Sequence, residues 1–166
     1  MKNVSNKVFL RMLSKVNACE EAREWVKQNG GDSATLFREC ERGDWMAWVI
    51  ARMELVDKRP LVGALADIAA QSLKYFEAKY PKDKRVREGI ATCRRYAKGK
   101  ATDEELNAAP YAATYAATYA ATYAATYAAT YAPYATYAAT YAVARMKSLK
   151  KSADILRKHF PDLVQE

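Results

Sequence analysis

ATDEELNAAPYAATYAATYAATYAATYAATYAPYATYAATYA, residues 101–142, opens on a helix start signal and runs on into a four-residue repeat. Thr102-Asp103-Glu104-Glu105 is a capping box: the threonine oxygen takes the Glu105 amide, and the Glu105 carboxylate reaches back to the amide of Thr102. That signal places the repeat inside a helix. The repeat holds nine tyrosines (Tyr111, Tyr115, Tyr119, Tyr123, Tyr127, Tyr131, Tyr134, Tyr137, Tyr141) among alanine, threonine and two prolines, and no charge occurs from Leu106 to Ala144. Nine phenol rings on so small a chain must be buried, paired with a partner, or used as a surface.

On a helix, four residues advance about 400°, so each ring lies about 40° past the last and the row spirals through about 200° by Tyr131. After Tyr131 the spacings become three, three and four, and Pro133 sits at this slip. Proline removes the amide that would bond the Ala129 carbonyl, so a kink or break is expected near Pro133, a kink being favoured over a helical hairpin. The tyrosines form a ridge and the alanines a groove beside it. Three uses stay open: a central core helix, self-association through the Tyr/Ala tract, and an aromatic wall for a ligand or partner.

Outward from the tract, 51% apolar content suffices for a core, and six glycines with five prolines are few. The fold expected is all-α: a compact multi-helix bundle forming one domain over 1–166. It has a helical head (1–101) and a long Ala/Tyr-repeat helix or hairpin (102–160). Val4, Val8, Met12 and Val16, with Phe9 and Leu13 beside them, mark a helix near 5–16. A second runs from about Ala18 to Asn29-Gly30-Gly31. Asp32 or Ser33 caps a short third, which Gly43 ends, and Asp44 caps a fourth whose Trp45, Trp48, Val49 and Ile50 face a core. Pro60 suits the first turn of a helix over 59–80 that carries Leu61, Leu65, Ile68, Leu73 and Phe76 and is ended by Pro81. Another spans about 84–98 and ends at Gly99. Beyond the tract, Met146, Leu149, Ala153, Leu156 and Phe160 keep the helical period to Pro161.

The net charge of +8 is concentrated. Lys79–Lys100 holds nine bases against Asp83 and Glu88. Arg85, Arg87, Arg94, Arg95 and Tyr96 there, with Tyr115, Tyr119 and Tyr123 from the tract, form the candidate ligand-binding set: guanidinium groups for phosphate or carboxylate, rings for stacking. The set suits an acidic protein target or a small phosphorylated signal; general nucleic-acid binding is a lesser alternative. No metal-ligand spacing, phosphate loop or catalytic constellation is present, so no cofactor and no enzyme activity are expected. His159, the one histidine, complements a helix C-terminus. Cys19, Cys40 and Cys93 are scattered and odd in number, which reads as reduced core thiols in a cytoplasmic protein. The tract is long enough for a bilayer, but alanine, threonine and tyrosine hydroxyls and Pro133 make a membrane span a poor reading.

Five stretches in order carry a resemblance: CEEAREWV (19–26), RGDWMAWVIARM (42–53), RPLVGALADIAAQSLKYF (59–76), ATDEELNAA (101–109) and ADILRKHFP (153–161). Together they resemble the all-helical family of immunity proteins and immunity-protein-like domains met in toxin–immunity loci and phage genomes. The resemblance implies a non-catalytic helical protein that neutralises its target by tight binding, with Trp45 and Trp48 matching the family's tryptophans as core residues. The regular tyrosine repeat departs from the looser Ala/Tyr mixtures of that family.

Overall fold

The computed structural model describes residues 3–109 and 135–165. Among them every regular element is helical, as expected: α1 Asn6–Lys15, α2 Glu20–Asn29, α3 Ser33–Glu39, α4 Gly43–Arg52, α5 Lys58–Lys79, α6 Arg85–Ala97, α7 Asp103–Ala108 and α8 Ala135–His159, then a short 3-10 turn at Pro161–Leu163. The expected kink at Pro133 and the rings of Tyr115, Tyr119 and Tyr123 lie outside the described residues. Two compact units divide the chain: residues 1–57 with 149–166, and residues 58–148.

In the first unit, α1 buries Phe9 and Leu13 and leaves Val8 exposed, so the core face is centred beside the valine row predicted for it. Burial scales with apolar area, and Phe and Leu bring more of it to the interior than valine. The Phe9 and Phe37 rings meet at 6.2 Å between centroids, tilted by 54°. Gly30 follows α2 with φ +63°, a conformation that a side chain would strain. Asp32 caps α3, its carboxylate accepting from the Thr35 amide at 2.8 Å.

Gly43 does not end α3; it is the first residue of α4, and α3 stops at Glu39. The reason lies far along the chain. A β-carbon on Gly43 would stand 2.5 Å from the Ala153 amide nitrogen and 2.7 Å from the Leu149 carbonyl oxygen, so α4 begins where only glycine fits against α8. Met46, Val49 and Ile50 share the buried face of α4, at helical spacings of three and four. Trp45 and Trp48 occupy the adjoining face instead: Trp45 is half-buried and Trp48 is 42% exposed, which corrects the expectation that both are core. The last turns of α8 place Ala153, Leu156 and Phe160 in the interior, as their period predicted, whereas Met146 is exposed. Arg157 ties α8 to the end of α3, its Nε donating to the Phe37 carbonyl at 3.0 Å and its Nη2 to the Cys40 carbonyl.

In the second unit, α5 and α6 form the main packed pair. Ala66, Ala69 and Phe76 of α5 close a core with Val86, Ile90 and Cys93 of α6, and Leu106 of α7 covers part of it. The helix boundaries agree with the Pro60 and Pro81 signals. Leu65 is exposed, because α5 turns a face of small residues to its neighbour. A β-carbon at Gly63 would come within 2.9 Å of the Ala97 β-carbon, so the two helices approach closely there. The capping box at Thr102 is formed in both directions, with Thr102 N–H donating to Glu105 at 2.9 Å and Glu105 N–H to the Thr102 hydroxyl at 3.2 Å. The helix it starts is described as far as Ala108, with Ala109 as its cap. Pro110 follows in the sequence and has no amide to offer the Leu106 carbonyl.

All three cysteines are free, but Cys19 is exposed ahead of α2 and is no core thiol. Burial pushes the Cys40 and Cys93 thiols above their ordinary value. Among the described residues no helix is long and apolar enough to cross a membrane.

Candidate functional site

The sequence RVREGIATCRRYA of α6 puts Val86, Gly89, Ile90, Cys93 and Tyr96 on one buried face, and this fixes where its charged residues stand. Arg85, Arg87, Arg94 and Arg95 are exposed, and each meets a carboxylate. Arg85 pairs with Asp83 at 2.6 Å, Arg87 with Glu77 at 2.6 Å, Arg94 with Asp67 at 2.7 Å and Arg95 with Glu105 at 3.1 Å. The hydrogen bonds from Arg87 and Arg85 hold the Glu77 and Asp83 carboxyls below their ordinary values, so these pairs are ionised at neutral pH. Pairs as exposed as these are screened by solvent, so they orient side chains more than they stabilise the unit.

Tyr96 is elsewhere. It is 3% exposed, and its hydroxyl donates to Asp103 at 2.9 Å. The Arg59 guanidinium covers its ring at 4.4 Å, and the same arginine donates to the Tyr96 carbonyl at 2.7 Å. Lys58 completes the cluster through its ion pair with Asp103, which lowers the Asp103 pKa and raises that of Lys58. This arrangement fixes α7, and with it the residues that lead into the tyrosine tract, to the start of α5 and the end of α6.

Of the candidate set, the structure brings Arg85 and Arg95 to one groove of ≈ 560 Å³, bounded also by Phe76, Thr92, Glu105 and Ala109. Arg87 and Arg94 turn to carboxylates of α5, and Tyr96 turns into the packed interior. Beside them Lys82, Lys84, Lys98 and Lys100 stand exposed and, among the described residues, without an ion-pair partner. The residues that sequence reasoning missed are the compensating ones: Asp67, Glu77 and Glu105 for the arginines, and Lys58, Arg59 and Asp103 around Tyr96. Most lie ten or more positions from their partners, so no local spacing announces them. Asp103 is nearer, seven positions from Tyr96, and Asp83 with Arg85 is a two-residue contact across a helix start.

Among the described residues no group of three or more metal-capable side chains comes together. The chemistry offered by this surface is charge and shape: a mixed-charge groove, with exposed lysines in the sequence on either side of α6.

No curated protein and no solved structure matches the chain. A family model described as Imm-5 like putative immunity protein matches residues 51–148, more than half of the sequence. The matched span takes in α5, α6, α7 and the tyrosine tract, and leaves Trp45 and Trp48 outside it. The chain therefore belongs to the family of Imm-5 like putative immunity proteins.

Proposed function

We propose that this protein is a non-catalytic inhibitor of the immunity type, which neutralises an acidic protein target by sequestering it against the basic surface of α6. The supporting observation is the coincidence of two features in residues 58–109: the family match, and the exposed Lys82, Lys84, Lys98 and Lys100, which among the described residues make no ion pair. Exposed ammonium groups steer association with an oppositely charged partner and give it a strong dependence on salt. The arginines are already compensated within the chain, so they present less bare charge than the lysines.

A small phosphorylated signal is served less well by this surface. Stacking a base needs an open ring, and Tyr96 lies buried beneath Arg59. A phosphate on Arg94 or Arg95 would sit beside the carboxylate of Asp67 or Glu105 and meet its repulsion.

The test is a comparative affinity capture from the native cell, with wild type and a variant carrying Lys82→Glu, Lys84→Glu, Lys98→Glu and Lys100→Glu as baits. The reading expects an acidic protein retained by wild type, released as salt rises and absent from the variant. Equal retention by both baits contradicts it, as does native mass spectrometry that finds a nucleotide-sized mass on the purified protein instead of a protein partner.

A further inference from the structure

The first unit contains an apolar cleft of ≈ 420 Å³, walled by Phe9, Met46, Trp25, Trp45 and Trp48, with Asp44 at its edge. We propose that this cleft binds a small amphiphilic cation, a compact aromatic or aliphatic body carrying one ammonium or amidinium group. It lies on α1 to α4, outside residues 51–148, and is independent of the basic surface of α6.

Size and lining come first. Pockets that bury most of a small molecule run from roughly 300 to 1,000 Å³ and are lined mainly by apolar and aromatic groups with a few polar ones. All three tryptophans of the chain line this one. Trp25 and Trp45 meet edge to face at 6.3 Å, while Trp48 remains 42% exposed. A part-exposed indole beside a cleft offers both apolar area and a ring face that attracts cations.

Charge then selects the ligand. Asp44 is the one charged side chain among the lining residues. Arg42 binds both of its oxygens, at 2.9 and 2.7 Å, and also reaches Glu21 at 3.2 Å. Two carboxylates share one guanidinium, so the Asp44–Arg42–Glu21 group carries a net negative charge. The Asp44 side chain keeps 40% of its surface exposed. A carboxylate has about four acceptor positions, so the paired Asp44 can still receive a cationic head. The site displays the contact it would extend: the Arg42 guanidinium lies 4.0 Å over the Trp45 ring. An anion of the same shape would meet repulsion, and a neutral one would gain only the apolar contact.

The experiment titrates the full chain with phenethylamine, phenethyl alcohol and phenylacetate, three probes with a common body, and follows the indole N–H resonances of the three tryptophans. The expected result is saturable shifts with the amine, binding about tenfold tighter than the alcohol, and weakest binding of the acid. Trp48→Ala, at an exposed position, should weaken the amine while leaving the unfolding midpoint in place. Asp44→Asn should abolish the preference for amine over alcohol, and Glu21→Gln, which removes the second carboxylate held by Arg42, should reduce it without changing a lining residue. Equal affinity for amine and alcohol overturns the proposal. So does an acid that binds as tightly as the amine, or the absence of saturable shifts with any probe.

Discussion

The carboxylate of Asp32 shows how much one side chain organises here. It accepts from the Thr35 amide at 2.8 Å and from the Asn3 side-chain amide at 2.6 Å, while Asn3 Oδ1 accepts from the Ser33 hydroxyl and the Ala34 amide. The Thr35 backbone hydrogen bond, then the one from Asn3, lower the Asp32 pKa from 3.8 to about 2. Because the folded value is depressed, the stabilisation is complete above the unfolded value and is lost as pH falls through the folded one. Urea unfolding of wild type should therefore show a stability slope between about pH 4 and pH 2 that is shallower in Asp32→Asn, the two curves converging at the acid end. The sequence announced Asp32 or Ser33 as a helix cap. It did not announce Asn3, because a bond across 29 residues leaves no local trace.

At the scale of elements, α6 and α5 were legible from end to end, since Pro60, Pro81 and Gly99 set their limits and a period of 3.6 set the helix type. Which residues of α5 faced inward was less legible. Leucines are the usual markers of a core face, yet Leu65 is exposed while Ala64, Ala66 and Ala69 are buried, because close approach at Gly63 and Ala97 favours small residues in the contact. The packing predicts an asymmetry. Ile90→Ala, which empties a 2%-exposed position in that core, should cost about 2–5 kcal/mol, whereas Leu65→Ala should stay within about 0.5 kcal/mol by denaturant unfolding. Similar costs for both would mean that the face is misassigned. The basic character of α6 was equally plain in the sequence, but its compensation by Asp67, Glu77 and Glu105 arises only when α5 and α7 lie alongside it.

At the scale of the molecule, the chain's last residues belong with its first. Ala153, Leu156, Phe160 and Leu163 are buried in the unit that holds α1 to α4, and Arg157 holds the carbonyls at the end of α3. Ending the chain after Ser148 should therefore remove hydrogen-exchange protection from the amides of α1 to α4 while those of α5 and α6 keep theirs. Retained protection in α1 to α4 would show that the first unit closes without its C-terminal segment. By itself the sequence determined the helical class, most helix limits, the capping box at Thr102 and the immunity-family resemblance, because caps, glycines, prolines and hydrophobic period act over a few residues. Only the tertiary structure decided that Gly43 begins a helix against Ala153, that Tyr96 is buried under Arg59, that the arginines of α6 are paired and that Trp48 stands at an open cleft. Each of those depends on groups brought together from distant positions, where packing and charge compensation, and not local spacing, select the arrangement.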